Sequence, residues 1–106
     1  MALTYKVLAQ GQLPNAAGVL YTVPAGTSAI VKQIALANTD GAATHNATLY
    51  VNGVAAGNQI LPVTTLPING SFPLTGTITL AAGQTIQGLA DAASKITYTI
   101  FGVEIT

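Results

Sequence analysis

The sequence predicts an all-β fold: a single antiparallel β-sandwich or jelly-roll-like domain of roughly seven to nine short strands. Three observations predict it. β-branched and aromatic residues alternate with polar ones over short runs, as in Ile96-Thr97-Tyr98-Thr99-Ile100, and helical periodicity is absent throughout. The runs are punctuated at short intervals by 11 Gly and 5 Pro among the 106 residues. One strand, turn, strand layout occurs twice, around Pro24-Ala25-Gly26 and around Ala81-Ala82-Gly83. The length suits one domain spanning 1–106, with 1–18 as an edge strand or an N-terminal arm.

Residues 5–10 read as a short strand ending at Gly11, and 13–18 as a loop by their Pro, Asn and Gly content. If this first segment is not fixed within its own domain, Leu3, Tyr5, Val7 and Leu8 are available to a neighbour. Residues 19–38 are the stretch around which the chain is organised, and they read as a hairpin. Pro24 suits the second position of a type I turn, and Gly26 the positive φ that returns the chain. In the second strand Ile30, Ile34 and Leu36 share a face with Lys32, while Val31, Ala35 and Ala37 share the other with Gln33. Clean alternation fails there, so a β-bulge near Lys32-Gln33 is expected to reset the parity.

Residues 38–44 form a loop and 45–52 the next strand, after which Asn52-Gly53 signals a type I′ hairpin turn. Only the Ala-rich pieces could form a short turn of helix, and Pro62 argues against a central strand at Gln59-Ile60-Leu61. Pro67, Asn69-Gly70 and Pro73 cut 63–74 into pieces expected to be surface loop. There Leu66, Ile68 and Phe72 either fold back over the end of the core or form an apolar contact patch. Residues 76–80 and 85–90 make a second hairpin, 91–94 a loop, and 95–105 the closing strand, with a bend or bulge at Gly102.

Charge is scarce. Lys6, Lys32, Lys95, Asp40, Asp91 and Glu104 make up 6% of the chain, against about 25% in an average soluble domain. A free monomer with so few charges and a formal net charge of zero is weakly protected against self-association, so part of the surface is expected to be covered in use. The absence of Arg and the scatter of the three Lys argue against a nucleic-acid partner. With no Cys there is no disulfide scaffold and no thiolate metal site. No run is long and apolar enough to span a membrane as a helix, and the first residues lack the pattern of a signal peptide, so use without export by that route is expected.

Candidate chemistry is thin. His45 is the only His, and with Asp40 it could supply one corner of a metal site, but zinc needs about four ligands. It reads as a surface residue at a strand end. Ser28, Ser71 or Ser94 could be written into a triad with His45 and Asp91, yet none lies in a nucleophile-elbow pattern. Asp40 reads as a turn residue, Asp91 as a loop residue and Glu104 as an exposed strand position. No catalytic, cofactor-binding or metal-binding residues are expected, and the chain reads as non-enzymatic.

Several motifs together resemble a family of small tailed-phage virion proteins: Tyr21-Thr22-Val23-Pro24-Ala25-Gly26-Thr27, Ala29-Ile30-Val31-Lys32, Leu49-Tyr50-Val51-Asn52-Gly53, Thr79-Leu80-Ala81-Ala82-Gly83-Gln84-Thr85-Ile86, and Gly102-Val103-Glu104-Ile105. The resemblance covers most of the chain after Gly18. It implies a capsid decoration (cement) protein, made in the host cytoplasm, that binds the major capsid protein or other virion proteins on the capsid exterior and bridges capsomers, commonly as a homotrimer. Related modules of necks, tails and fibres are the alternative stations. A carbohydrate-binding attachment domain is a reading of another class, though the chain has no Trp and few aromatics for stacking sugars. A small hydrolase is the third.

Overall fold

The computed structural model describes residues 2–106. Its strands are Leu3–Gln12 (β1), Gly18–Thr22 (β2), Ser28–Asn38 (β3), His45–Val51 (β4), Gln59–Leu66 (β5), Ser71–Leu80 (β6), Thr85–Ala90 (β7) and Ile96–Ile105 (β8). A short 3-10 turn, Ala56–Asn58, lies in the Ala-rich piece before β5. The strands form two antiparallel four-stranded sheets, ordered β1-β8-β3-β6 and β2-β7-β4-β5. Only β4 and β5 are consecutive strands paired with each other; every other connection crosses from one sheet to the other. This wrapping of paired strands into two facing sheets is the jelly roll. No helix among the described residues is long and apolar enough to cross a membrane.

The all-β sandwich agrees with the sequence reading, but the two expected hairpins do not exist. β2 and β3 lie in opposite sheets, as do β6 and β7, so each Gly-containing turn carries the chain across the sandwich. In the first, the Thr27 N–H donates to the Pro24 carbonyl at 3.2 Å, which puts Pro24 first in the turn rather than second, and Gly26 third with φ 72°. In the second, the Gln84 N–H donates to the Ala81 carbonyl at 3.1 Å, and Gly83 has φ 83°. These crossings lie side by side: the Val23 N–H donates to Gln84 and the Gly83 N–H to Val23, both at 3.0 Å. The repeated motif is therefore a pair of bonded sheet crossings.

Two further expectations are corrected. The Asn52-Gly53 turn is not a two-residue type I′ turn, because Gly53 has φ 144° and β5 starts only at Gln59. Asn58 holds this longer loop, its side-chain amide donating to the Val51 carbonyl at 2.8 Å. The expected surface loop at 63–74 is mostly strand, with only 67–70 left as a turn between β5 and β6. Pro62 is accommodated because β5 is an edge strand.

The core lies between the sheets, with Val31, Ile34, Leu36, Leu49, Ile86 and Ile100 fully buried and Leu13 closing it from the β1–β2 loop. The bulge expected near Lys32 is present: β3 slips register between Val31 and Gln33 against both neighbours. That slip lets Ala29 and Val31 upstream, and Ile34 and Leu36 downstream, all face inward. β1 has a matching slip between Val7 and Ala9, with Leu8 as the extra residue. Both slips flank β8 around Phe101 and Gly102. Gly102 itself is not bulged; it leaves the space into which its neighbours' bulges close, with the Leu8 Cδ1 atom 2.9 Å from where a Cβ would stand.

Candidate assembly surface

The phase of β1 decides what it presents. Ala2 and Thr106 exchange two backbone hydrogen bonds, at 2.9 and 3.0 Å, so the alternation continues with Thr4–Glu104 and Lys6–Gly102 as bonded pairs. Leu3–Ile105, Tyr5–Val103 and Val7–Phe101 are the non-bonded pairs between them. Directly opposed residues project to the same face, and here it is the outer one, since Gly102 and Glu104 take the inward parity of Ile96, Tyr98 and Ile100. Tyr5 is 76% exposed, Leu3 52% and Phe101 37%. Val103 is buried yet stands outside the core cluster, flanked in register by Tyr5 on β1 and Ile30 on β3. The result is a contiguous apolar patch on the outer face of one sheet, formed by residues from two neighbouring strands.

Of the residues singled out from sequence, the structure brings Leu3, Tyr5 and Val7 together on this patch. Leu8 is not with them, because the bulge turns it inward against the core. Leu66 is fully buried and so cannot be a contact; it caps the core. Phe72 is half-buried and packed on the core, and Ile68 is exposed in the 67–70 turn at the opposite end of the molecule. Phe101 and Val103 were missed. Their parity in the closing strand was the signal.

The scarce charges are mostly tied to one another. At the loop end, His45 donates from Nε2 to the Asp40 carboxylate at 2.8 Å and from Nδ1 to Asp91 at 2.9 Å, with the Lys95 ammonium 3.9 Å from Asp40. Carboxylates only accept, so both contacts are hydrogen bonds only when the imidazole is doubly protonated. The bonds to Asp40 and Asp91 accordingly raise the His45 pKa, and the bond from His45, helped by the Ala42 N–H, lowers that of Asp40. His45 is thus a nearly buried residue held between two carboxylates, not a free surface group. No serine hydroxyl bonds to it among the described residues, and neither ring nitrogen is left to act as a base.

Asn38 organises the same end. Its buried side-chain amide donates to the carbonyls of Ala43, Leu66 and Pro67, and its oxygen accepts the Asp40 N–H at 2.9 Å. At the other end Glu104 accepts from the Lys6 ammonium and from the Tyr21 hydroxyl, each at 2.7 Å. It therefore clamps β1 and β8 to β2 across the sandwich, rather than standing exposed. Lys6 and then Tyr21 hold its carboxyl below the usual range, while burial and then Glu104 push the Tyr21 hydroxyl well above its own. Lys32, on its bulge, has no ion pair among the described residues.

On the β5–β6 side a cleft of about 210 Å³ opens between the sheets, lined by Val31, Ile34, Ile60, Leu74 and Ile78. Gly76, with φ 126°, lies at its mouth, where β6 slips register against β3. The lining is mainly aliphatic, with no cluster of ionisable groups.

No protein-family model matches the sequence, and no match is found among curated proteins. Among solved structures the chain is similar to one from the acidic stable capsid of the Helicobacter pylori bacteriophage KHP30, with 14% identity and a TM-score of 0.56, covering 99% of this chain and 98% of that one. It is also similar to a chain of Bacillus endospore appendages, a family of disulfide-linked pili, with 14% identity and a TM-score of 0.52, covering 98% of this chain and 88% of that one. At such identities the likeness shows the fold alone.

Proposed function

We propose that this chain is a non-enzymatic structural protein of a phage virion, which decorates the capsid exterior and stabilises it by binding the major capsid protein. The observation that carries this reading is the outer apolar patch of Leu3, Tyr5, Val7 and Phe101 on a chain whose charges are mostly held in internal pairs. Such a surface favours packing against a neighbour over free diffusion. The jelly roll serves both capsid and lectin domains, so the fold alone does not choose. A phage-capsid chain of almost the same length with the same fold supports the viral reading. Tyr5 stands among aliphatic and aromatic neighbours rather than beside amides and carboxylates, which disfavours a sugar site. The engaged ring nitrogens of His45 likewise disfavour a hydrolase.

A decoration protein works by mass action: it binds the assembled shell but not the dissociated subunits, and so shifts the equilibrium toward the shell. Repetition over many symmetric sites multiplies the effect. Virions assembled without this chain should release their DNA at a lower temperature than complete ones, and adding back the purified protein should restore the difference. An unchanged release temperature would count against the proposal, and a chain found by electron cryo-microscopy on a neck, tail or fibre would move it there.

A further inference from the structure

We infer that the free edge of β1 is a self-association site, at which residues 3–7 of two copies pair antiparallel about a twofold axis through Tyr5. The phase set by the Ala2–Thr106 pair points the N–H and C=O groups of Leu3, Tyr5 and Val7 away from β8, toward the open edge of the sheet. These six groups have no partner among the described residues. The residues that carry the exposed apolar side chains thus also carry the free backbone bonding groups. An edge of this kind is a template for adding a strand.

The other three edges are interrupted. β2 has five residues and a register slip between Val19 and Tyr21, β5 contains Pro62 and two slips, and β6 contains Pro73 and a slip at Gly76. Within residues 3–7 there is no Pro, Gly or bulge, and the one charge, Lys6, is held by Glu104. The strand is also its own best partner. Centred on Tyr5, the pairing sets Leu3 against Val7 of the second copy and Tyr5 against Tyr5, and it uses all six free groups from each side. Centred on Lys6, it would oppose two ammonium groups, which is destabilising. Head-to-tail pairing of β1 on a neighbour's β6 would meet the Pro73 and Gly76 interruptions and would not close on two copies. The contact gives a dimer, in place of the threefold assembly that the family resemblance implies, and it merges the two apolar patches into one band on the outer face.

The chain has no Cys, which makes the register directly testable. By sedimentation the wild-type chain should be a dimer at about 50 µM, a concentration suited to a small interface. Tyr5→Pro should be a monomer with an unchanged circular dichroism spectrum and, at a dilution where the wild type is also monomeric, an unchanged melting temperature, because the lost N–H faces the open edge and makes no bond to β8. Under mild oxidation Tyr5→Cys should cross-link at least about tenfold faster than Leu3→Cys or Val7→Cys, because only position 5 meets itself within disulfide reach. A wild-type monomer or trimer, a Tyr5→Pro variant that stays dimeric, or equal cross-linking at the three positions would overturn the inference. None of these outcomes involves a viral shell, so failure here leaves the proposed function to be judged by the heat-release experiment.

Discussion

At Gly102 two bulged strands close on β8 from either side, and an added methyl group would collide with the Ile30 carbonyl oxygen and the Leu8 side chain. The Leu8 methyl can swing aside, but the Ile30 backbone cannot give way without opening the sheet, so Gly102→Ala should lower stability by about 2–4 kcal/mol in urea titration. Gly57 faces open space, and Gly57→Ala should change stability by no more than about 0.5 kcal/mol in the same assay. The His45 cluster makes a prediction in pH. Its His45 contribution is fully present below the ordinary 6.5 and is lost as pH rises through the raised folded value. The Asp40 contribution is present above the ordinary 3.8 and is lost as pH falls through the lowered folded value. The melting temperature should therefore fall on the alkaline side of this window in the wild type, and His45→Gln should flatten that limb; identical profiles would refute the assignment. The Lys32 bulge was legible in the sequence as a failed alternation. The sequence set Asp40 and Asp91 beside His45 only as a corner of a metal site or a triad; that both carboxylates hold the ring together was not legible, because Asp91 comes from a loop distant in sequence.

Among the elements, strands were legible and their partners were not. Turn chemistry at Pro24-Ala25-Gly26 and Ala81-Ala82-Gly83 specifies a change of direction and a positive φ, which a hairpin and a sheet crossing both require. Which of the two forms depends on the partner strands, β7 for β2 and β8 and β6 for β3, all distant in sequence. The 63–74 segment was misread because Pro67, Gly70 and Pro73 look like loop punctuation, whereas Pro62 and Pro73 fit edge strands that have a side free of ladder bonds. Periodicity could not have found Leu66, which ends β5 with its side chain in the core, because the register slips of β5 leave it on the opposite parity from buried Leu61. Leu66→Ala should cost about 2–5 kcal/mol, while Ile68→Ser in the exposed turn should stay within about 0.5 kcal/mol. Equal losses in thermal or urea unfolding would mean that the end of the sandwich is packed differently.

For the whole molecule, an elongated body of 47 × 26 × 20 Å exposes 5172 Å² with six formally charged side chains, and five of those lie in two groups, the Lys6–Glu104 pair and the Asp40, Asp91 and Lys95 cluster that a doubly protonated His45 balances. Few charges remain to keep copies apart, and the apolar stripe along β1 and β8 gives them a place to meet a neighbour. Composition alone carried this inference; the location of the stripe needed the strand register. The most direct measurement is the binding of purified chain to capsids assembled without it, compared with binding to the dissociated capsid subunits at the same concentration. A shell-stabilising chain should show saturable binding to the assembled shell, at least about tenfold weaker binding to free subunits, and loss of shell binding in a Leu3→Ser, Tyr5→Ser, Val7→Ser variant. Equal affinity for both forms, or no binding to either, would contradict that role.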